Sequence, residues 1–122
     1  MLAAELMTFV NGLVTEPVFI NQFPDAPDAA VAIFEDGGQR TPIPGHYAPT
    51  LRILVRGTTR TDSAHASAIA IFDALDHLSN TTLVSGGEKI SRCDAAGPPD
   101  RIEIDDNRRV VYQLTFDFVV SR

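Results

Sequence analysis

Three histidines, one cysteine and scattered carboxylates are the side chains of this 122-residue chain from which chemistry could be built. His46, His65 and His77 show no ligand spacing. Were His65 and His77 on one helix, their separation at about 100° per residue would turn them roughly 120° apart. A metal centre asks for three or four converging ligands, so surface roles are expected for all three. Glu103, Asp105 and Asp106 crowd three carboxylates together. Their spacing fails the calcium loop, which needs Asp or Asn at alternate positions followed by Gly, and Asp106-Asn107-Arg108 has the composition of a turn.

Asp62, Ser63 and His65 are the residue types of a hydrolase triad, but no G-x-S-x-G elbow accompanies them. A helix cap at Asp62 accounts for them better. Gly37-Gly38 and Gly86-Gly87-Glu88-Lys89 lack the frame of a phosphate-binding loop and read as turns. Cys93 has Arg92 beside it and no histidine nearby in sequence, which favours a buried small residue over a reactive thiolate. The expectation is no catalytic residue, no cofactor and no metal.

Charge narrows the classes further. Sixteen acids against ten basic residues give a net charge of −6, which opposes gripping a polyanion because nucleic-acid affinity comes from Lys and Arg neutralising phosphates. Arg52, Arg56 and Arg60 could still form a basic stripe or an intersubunit ion pair, against the plainer reading of an exposed sheet face. A single cysteine allows no intrachain disulfide and fits a reducing compartment. The N-terminal stretch has no basic leader, and no run reaches the roughly 18 apolar residues of a membrane span. A soluble chain is expected, with one domain over residues 1–122.

Periodicity supplies the elements. Leu2, Leu6, Phe9, Val10 and Leu13 fall at helical spacing before Pro17. Val18 to Phe23 and Ala30 to Glu35 read as strands around the turn Pro24-Asp28. The stretch from Gly37 to Pro49 holds three prolines and reads as a long exposed loop, a candidate contact arm. Leu51, Ile53 and Val55 alternate with Arg52, Leu54 and Arg56 as a half-buried strand. Ala64, Ala68, Ile71, Phe72, Leu75 and Leu78 make the stripe of a second helix ending near Asn80. Leu83-Val84 and Glu88 to Asp94 suggest short strand pieces, and Gly97 to Arg109 a loop. Val110, Tyr112, Leu114, Phe116, Phe118 and Val120 define a long final strand. The result is an α+β fold of order α-β-β-β-α-β-β, with two helices on one face of a mostly antiparallel sheet of four to five strands.

The strand Leu51-Arg52-Ile53-Leu54-Val55-Arg56, the alanine-rich helix after it, the Gly86-Gly87 turn, the Pro98-Pro99 loop and the strand Tyr112-Gln113-Leu114-Thr115-Phe116-Asp117-Phe118 together resemble a known family. They look like the minor capsid or tail terminator proteins of long-tailed bacteriophages, and the likeness spans nearly the whole chain. It implies a virion subunit, made in the host bacterial cytoplasm, that assembles as a ring, usually a hexamer, on the end of the tail tube. Such a ring stops tube polymerisation and meets the head-tail connector or stopper protein, with DNA passing through unread. A ring needs two different patches on each subunit, and Arg40, Pro42, Ile43, His46, Tyr47, Arg52, Arg56 and Arg60 are the candidate contacts. The alternatives are a head-completion or stopper protein of the neck, a small ligand-binding or enzymatic α+β domain, and a regulatory module dimerising through sheet edges.

Overall fold

Leu2, Leu6 and Val10 recur once per helical turn, and they bury the inner side of α1 (Leu2–Asn11). The computed structural model describes residues 2–24, 29–39, 46–57, 62–104 and 109–121, without the side chains of 39, 62, 63, 103 and 104. After α1 come the strands β1 (Val18–Ile20), β2 (Ala30–Gln39) and β3 (His46–Arg56), then α2 (Asp62–Leu75). Four more strands follow: β4 (Leu78–Thr82), β5 (Lys89–Ala95), β6 (Asp100–Ile104) and β7 (Val110–Ser121).

The sheet runs β1-β2-β3-β7-β5-β4, with β6 also paired to β7. Every pairing is antiparallel except β1 with β2. This is the expected α+β class, with seven strands where the sequence pattern predicts four or five. Part of the excess is geometric. β5 and β6 lie end to end along β7, Ala95 opposite Phe116 and Asp100 opposite Gln113. They behave as one strand interrupted by Ala96-Gly97-Pro98-Pro99, whose prolines cannot donate to a ladder.

Both helices cover the same face. Leu6 and Val10 of α1 and Ala68, Ile71 and Leu75 of α2 share one core with Val31, Ile33, Leu51, Ile53, Leu114, Phe116 and Phe118. Phe116 and Phe118 are fully buried, and truncating either to Ala in such a site costs about 3–5 kcal/mol. The opposite face carries Thr50, Arg52 and Leu54 of β3 beside Gln113, Thr115 and Asp117 of β7, all at least partly exposed.

Several boundaries differ from the sequence reading for identifiable reasons. α2 stops at Leu75 rather than near Asn80, because His77 takes a left-handed φ of 64° and turns the chain into β4. Leu78 therefore packs on the core from a strand, opposite Cys93, and not from a helix. Leu83 and Val84 form the bend before the Gly86 turn, while the strand lies just ahead of them. The segment expected to be a loop after Pro99 contains β6.

Both ends of the stretch expected as an arm, Gly37 to Pro49, belong to strands, and residues 40–45 lie outside the described residues. Gly37 to Gln39 extend β2 and His46 to Pro49 extend β3, with Gly38 opposite Pro49. Two features permit this. A register shift between Glu35 and Gly38 is absorbed by left-handed Gly37 and Gly38. The β3–β7 ladder pairs Tyr47 with Val120 and Thr50 with Asp117 but skips Ala48 and Pro49, so proline's missing N–H falls in a break.

Candidate interaction surface

Alternation along β3 sends His46, Arg52 and Arg56 to the helix-free face and Tyr47 to the helix side. Arg52 is held in the plane of that open face. Its guanidinium lies 5.1 Å from the Phe34 ring centroid, and its Nε is 3.2 Å from Asp36 Oδ2, with both charged side chains about one-third exposed. Thr50 donates to Asp117 Oδ1 at 2.8 Å beside it, and Arg92 pairs with Asp94 further across. Arg52 and Arg92 on this face each have a carboxylate beside them.

Arg56 corrects the sequence reading. Strand alternation predicts an exposed stripe shared with Arg52, but Arg56 is 4% exposed, with its guanidinium 4.3 Å from the Phe23 centroid and donating to the Pro24 carbonyl. The segment after β1 folds over this end of the sheet and takes the arginine inside, an aromatic stacking that a planar guanidinium suits. Arg40, Pro42, Ile43 and Arg60 lie outside the described residues.

At the upper rim, His46 Nε2 is 3.1 Å from Ser121 Oγ, which is 2.5 Å from Ser91 Oγ. Two serines and a histidine match nucleophile chemistry in residue type alone. They join three neighbouring strands across one face, and His46 opens β3 directly opposite the end of β7. Tyr47, on the other side, donates its hydroxyl to Glu88 at 2.8 Å, while the Glu88 N–H donates to Glu5 Oε1 at 2.8 Å. A Cβ at Gly87 would meet the Glu5 carboxylate and the Val84 side chain, so a larger residue there would have to displace the glutamate from the turn where α1 meets it.

His65 tilts against Tyr112, with centroids 5.5 Å apart, at an exposed helix position. The Ser63 and Asp62 side chains lie outside the described residues, as do Asp105, Asp106 and the Glu103 side chain. Cys93 is fully buried, and burial, followed by Asp94, Asp76 and Asp117, pushes its thiol from 9.0 up to about 12. It sits across the strand from Arg92, whose partner is Asp94.

One grouping escapes a reading of the sequence. His77 lies 3.2 Å from Asp94 and 3.4 Å from Asp76, so three potential ligand atoms lie within 4.8 Å of one another. Asp76 also accepts from the Ala95 N–H at 3.0 Å, and Asp94 holds Arg92. These bonds fasten the end of α2 to β5, and the arginine opposes a cation. Only the register that sets Leu78 against Cys93 brings Asp94 to His77, and sequence spacing does not reveal that register.

Two hollows stand out on the described surface. One, of about 240 Å³, lies at the start of α1 against Tyr47 and Leu51. The other, of about 350 Å³, lies on the open face under the Ala96–Pro99 bulge, flanked by Gln113 and Thr115. Small-molecule sites are enclosed, with a few convergent polar groups; neither hollow gathers a nucleophile, a base and an oxyanion donor. No described helix is long and apolar enough to cross a membrane.

Among the described residues, side-chain polar groups join neighbouring strands, and the upper part of the helix-free sheet face is partly exposed. Residues 5–122 match the family model described as bacteriophage tail terminator protein, and the chain belongs to that family, a family of structural virion proteins. Among solved structures, it is similar to a chain of the virion of a native gene transfer agent particle. That likeness covers 93% of this chain and 84% of the other at 23% identity with a TM-score of 0.54, and it shows a shared fold. No curated protein sequence matches.

Proposed function

We propose that this protein is the tail terminator itself: a subunit that assembles as a ring, of six copies, on the end of the tail tube and stops its polymerisation. The observation that carries this reading is the family match over nearly the whole chain. The geometry fits it, since side-chain bonds hold neighbouring strands together and the helix-free face around Thr50, Arg52, Thr115 and Asp117 is partly exposed.

In this reading the ring is heterologous, one patch of each subunit meeting a different patch of the next. His46, Tyr47 and Arg52, with Arg40, Pro42, Ile43 and Arg60 near them in sequence, contribute contacts to neighbours or to the tube. Arg56 acts indirectly, by fixing Phe23 and Pro24 against the sheet. The upper surface of the ring meets the head-tail connector or stopper protein. DNA passes through the lumen without being read, in keeping with a net charge of −6. The subunit is made in the host cytoplasm and ends in the virion neck.

Polymerising purified tail-tube protein with and without this chain tests the reading. Tubes that stop at short lengths and carry a cap at one end support it. Tubes whose length distribution is unchanged by an excess of the chain overturn it.

A further inference from the structure

The lower half of the sheet ends in β1 on one side and β6 on the other. Across it, Phe19, Ala32, Leu54, Gln113 and Asp100 stand side by side in one row of β1, β2, β3, β7 and β6. Among the described residues, the outer sides of β1 and β6 pair with no strand. An open strand edge is a template for another chain, and proteins usually blunt it with charge or proline. The three residues of β1, Val18-Phe19-Ile20, carry neither, and each is only partly buried.

Polarity and facing both suit these two edges to each other. β1 runs parallel to β2, and each further step to β3, β7 and β6 reverses direction, so β1 and β6 run oppositely. Two copies related by rotation about a ring axis would therefore join β1 to β6 in an antiparallel pair. With the ring axis along the strands, the shared row would place Phe19 of one copy beside Asp100 of the next. Phe19 faces the helix-free side, the same side as Gln113 and Thr115. There the 350 Å³ hollow opens, lined by Pro98, Pro99, Asp100, Gln113 and Thr115. An aromatic ring against prolines fills such a hollow without needing a polar partner. Ile102, 42% exposed at the bulge of β6, is a large apolar side chain at the same edge.

We infer that neighbouring subunits join by β1 of one copy adding to β6 of the next, with Phe19 seated in the hollow under the Ala96–Pro99 bulge. This rests on the ring reading proposed above and names its subunit joint. Because five strands span the row, each subunit advances the sheet by about 24 Å at about 4.8 Å per strand.

The test is a disulfide across the joint. In a chain carrying both Phe19→Cys and Asp100→Cys, position 19 of one copy would face position 100 of the next within the range a disulfide spans, and buried Cys93 stays apart. Oxidation of the double variant, mixed with tail tubes, is expected to give a ladder of covalent oligomers that neither single variant gives. Phe19→Asp, checked for folding by its melting curve, is expected to weaken self-association roughly tenfold or more, as loss of an aromatic anchor does. Rings that form without a ladder, with Phe19→Asp associating normally, overturn this joint and leave the ring standing. Absence of any self-association, with or without tubes, overturns the ring reading and the joint together.

Discussion

The Tyr47 hydroxyl lies 2.8 Å from both carboxylate oxygens of Glu88, 41 residues further along the chain. With Glu5 accepting from the Glu88 N–H, this bond ties the start of β3 to the β4–β5 turn and to α1. Tyr47→Phe removes only the donor, and a hydrogen bond to a charged group contributes about 1.5–3 kcal/mol. Urea unfolding of Tyr47→Phe is expected to show a loss at the lower end of that range, because the pair is only partly buried.

Arg52 and Arg56 look equivalent in sequence and differ in the fold. Arg56→Ala removes a buried stack on Phe23 and a bond to Pro24, and is expected to cost about 2–3 kcal/mol. Arg52→Ala breaks a partly exposed ion pair with Asp36, and is expected to cost less than about 1 kcal/mol. Denaturant midpoints of the two variants check this ordering. Equal losses would mean that Arg56 is as exposed as the alternation of β3 implies.

Gly38 sits at a φ of 139°, and a Cβ there would overlap the Ala48 carbonyl and the Pro49 backbone. Neither neighbour is a flexible side-chain end. Gly38→Ala is expected to destabilise by at least about 2 kcal/mol, combining left-handed strain with a backbone collision. Gly37, with open space around it, shares only the strain, so Gly37→Ala is the milder variant in the same thermal melt.

Cys93 is expected to resist thiol reagents at pH 8 until the chain unfolds, because burial holds its thiol protonated. The linkage has a definite sign. The folded value is raised from 9.0 to about 12, so the unfolded chain releases this proton first and stability falls as pH climbs through that window. Between about pH 8.5 and 10.5 the wild-type chain should therefore lose stability more steeply than Cys93→Ala.

Much of this architecture is legible from side-chain period alone. The run from Val110 to Val120 alternates so regularly that its buried face is evident, and Leu2, Leu6 and Val10 do the same for α1. The α2 stripe is legible as far as Leu75. Its end is not, because the turn depends on a left-handed histidine rather than a glycine. Pro49 inside β3 hides for a similar reason: only the break in the β7 ladder makes room for it. The contact surface is the least legible part. Alternation places Arg56 outside, and only the fold-over of Phe23 and Pro24 brings it in. The Asp76, His77 and Asp94 grouping waits on a strand register that no local pattern encodes.

Tail length in particles assembled without this chain is the most direct measure of its role. Electron micrographs should show tubes running well beyond the normal length, with no heads joined to their ends. Tails of normal length beside detached or leaking heads would contradict the terminator reading and move the protein to the stopper layer of the neck.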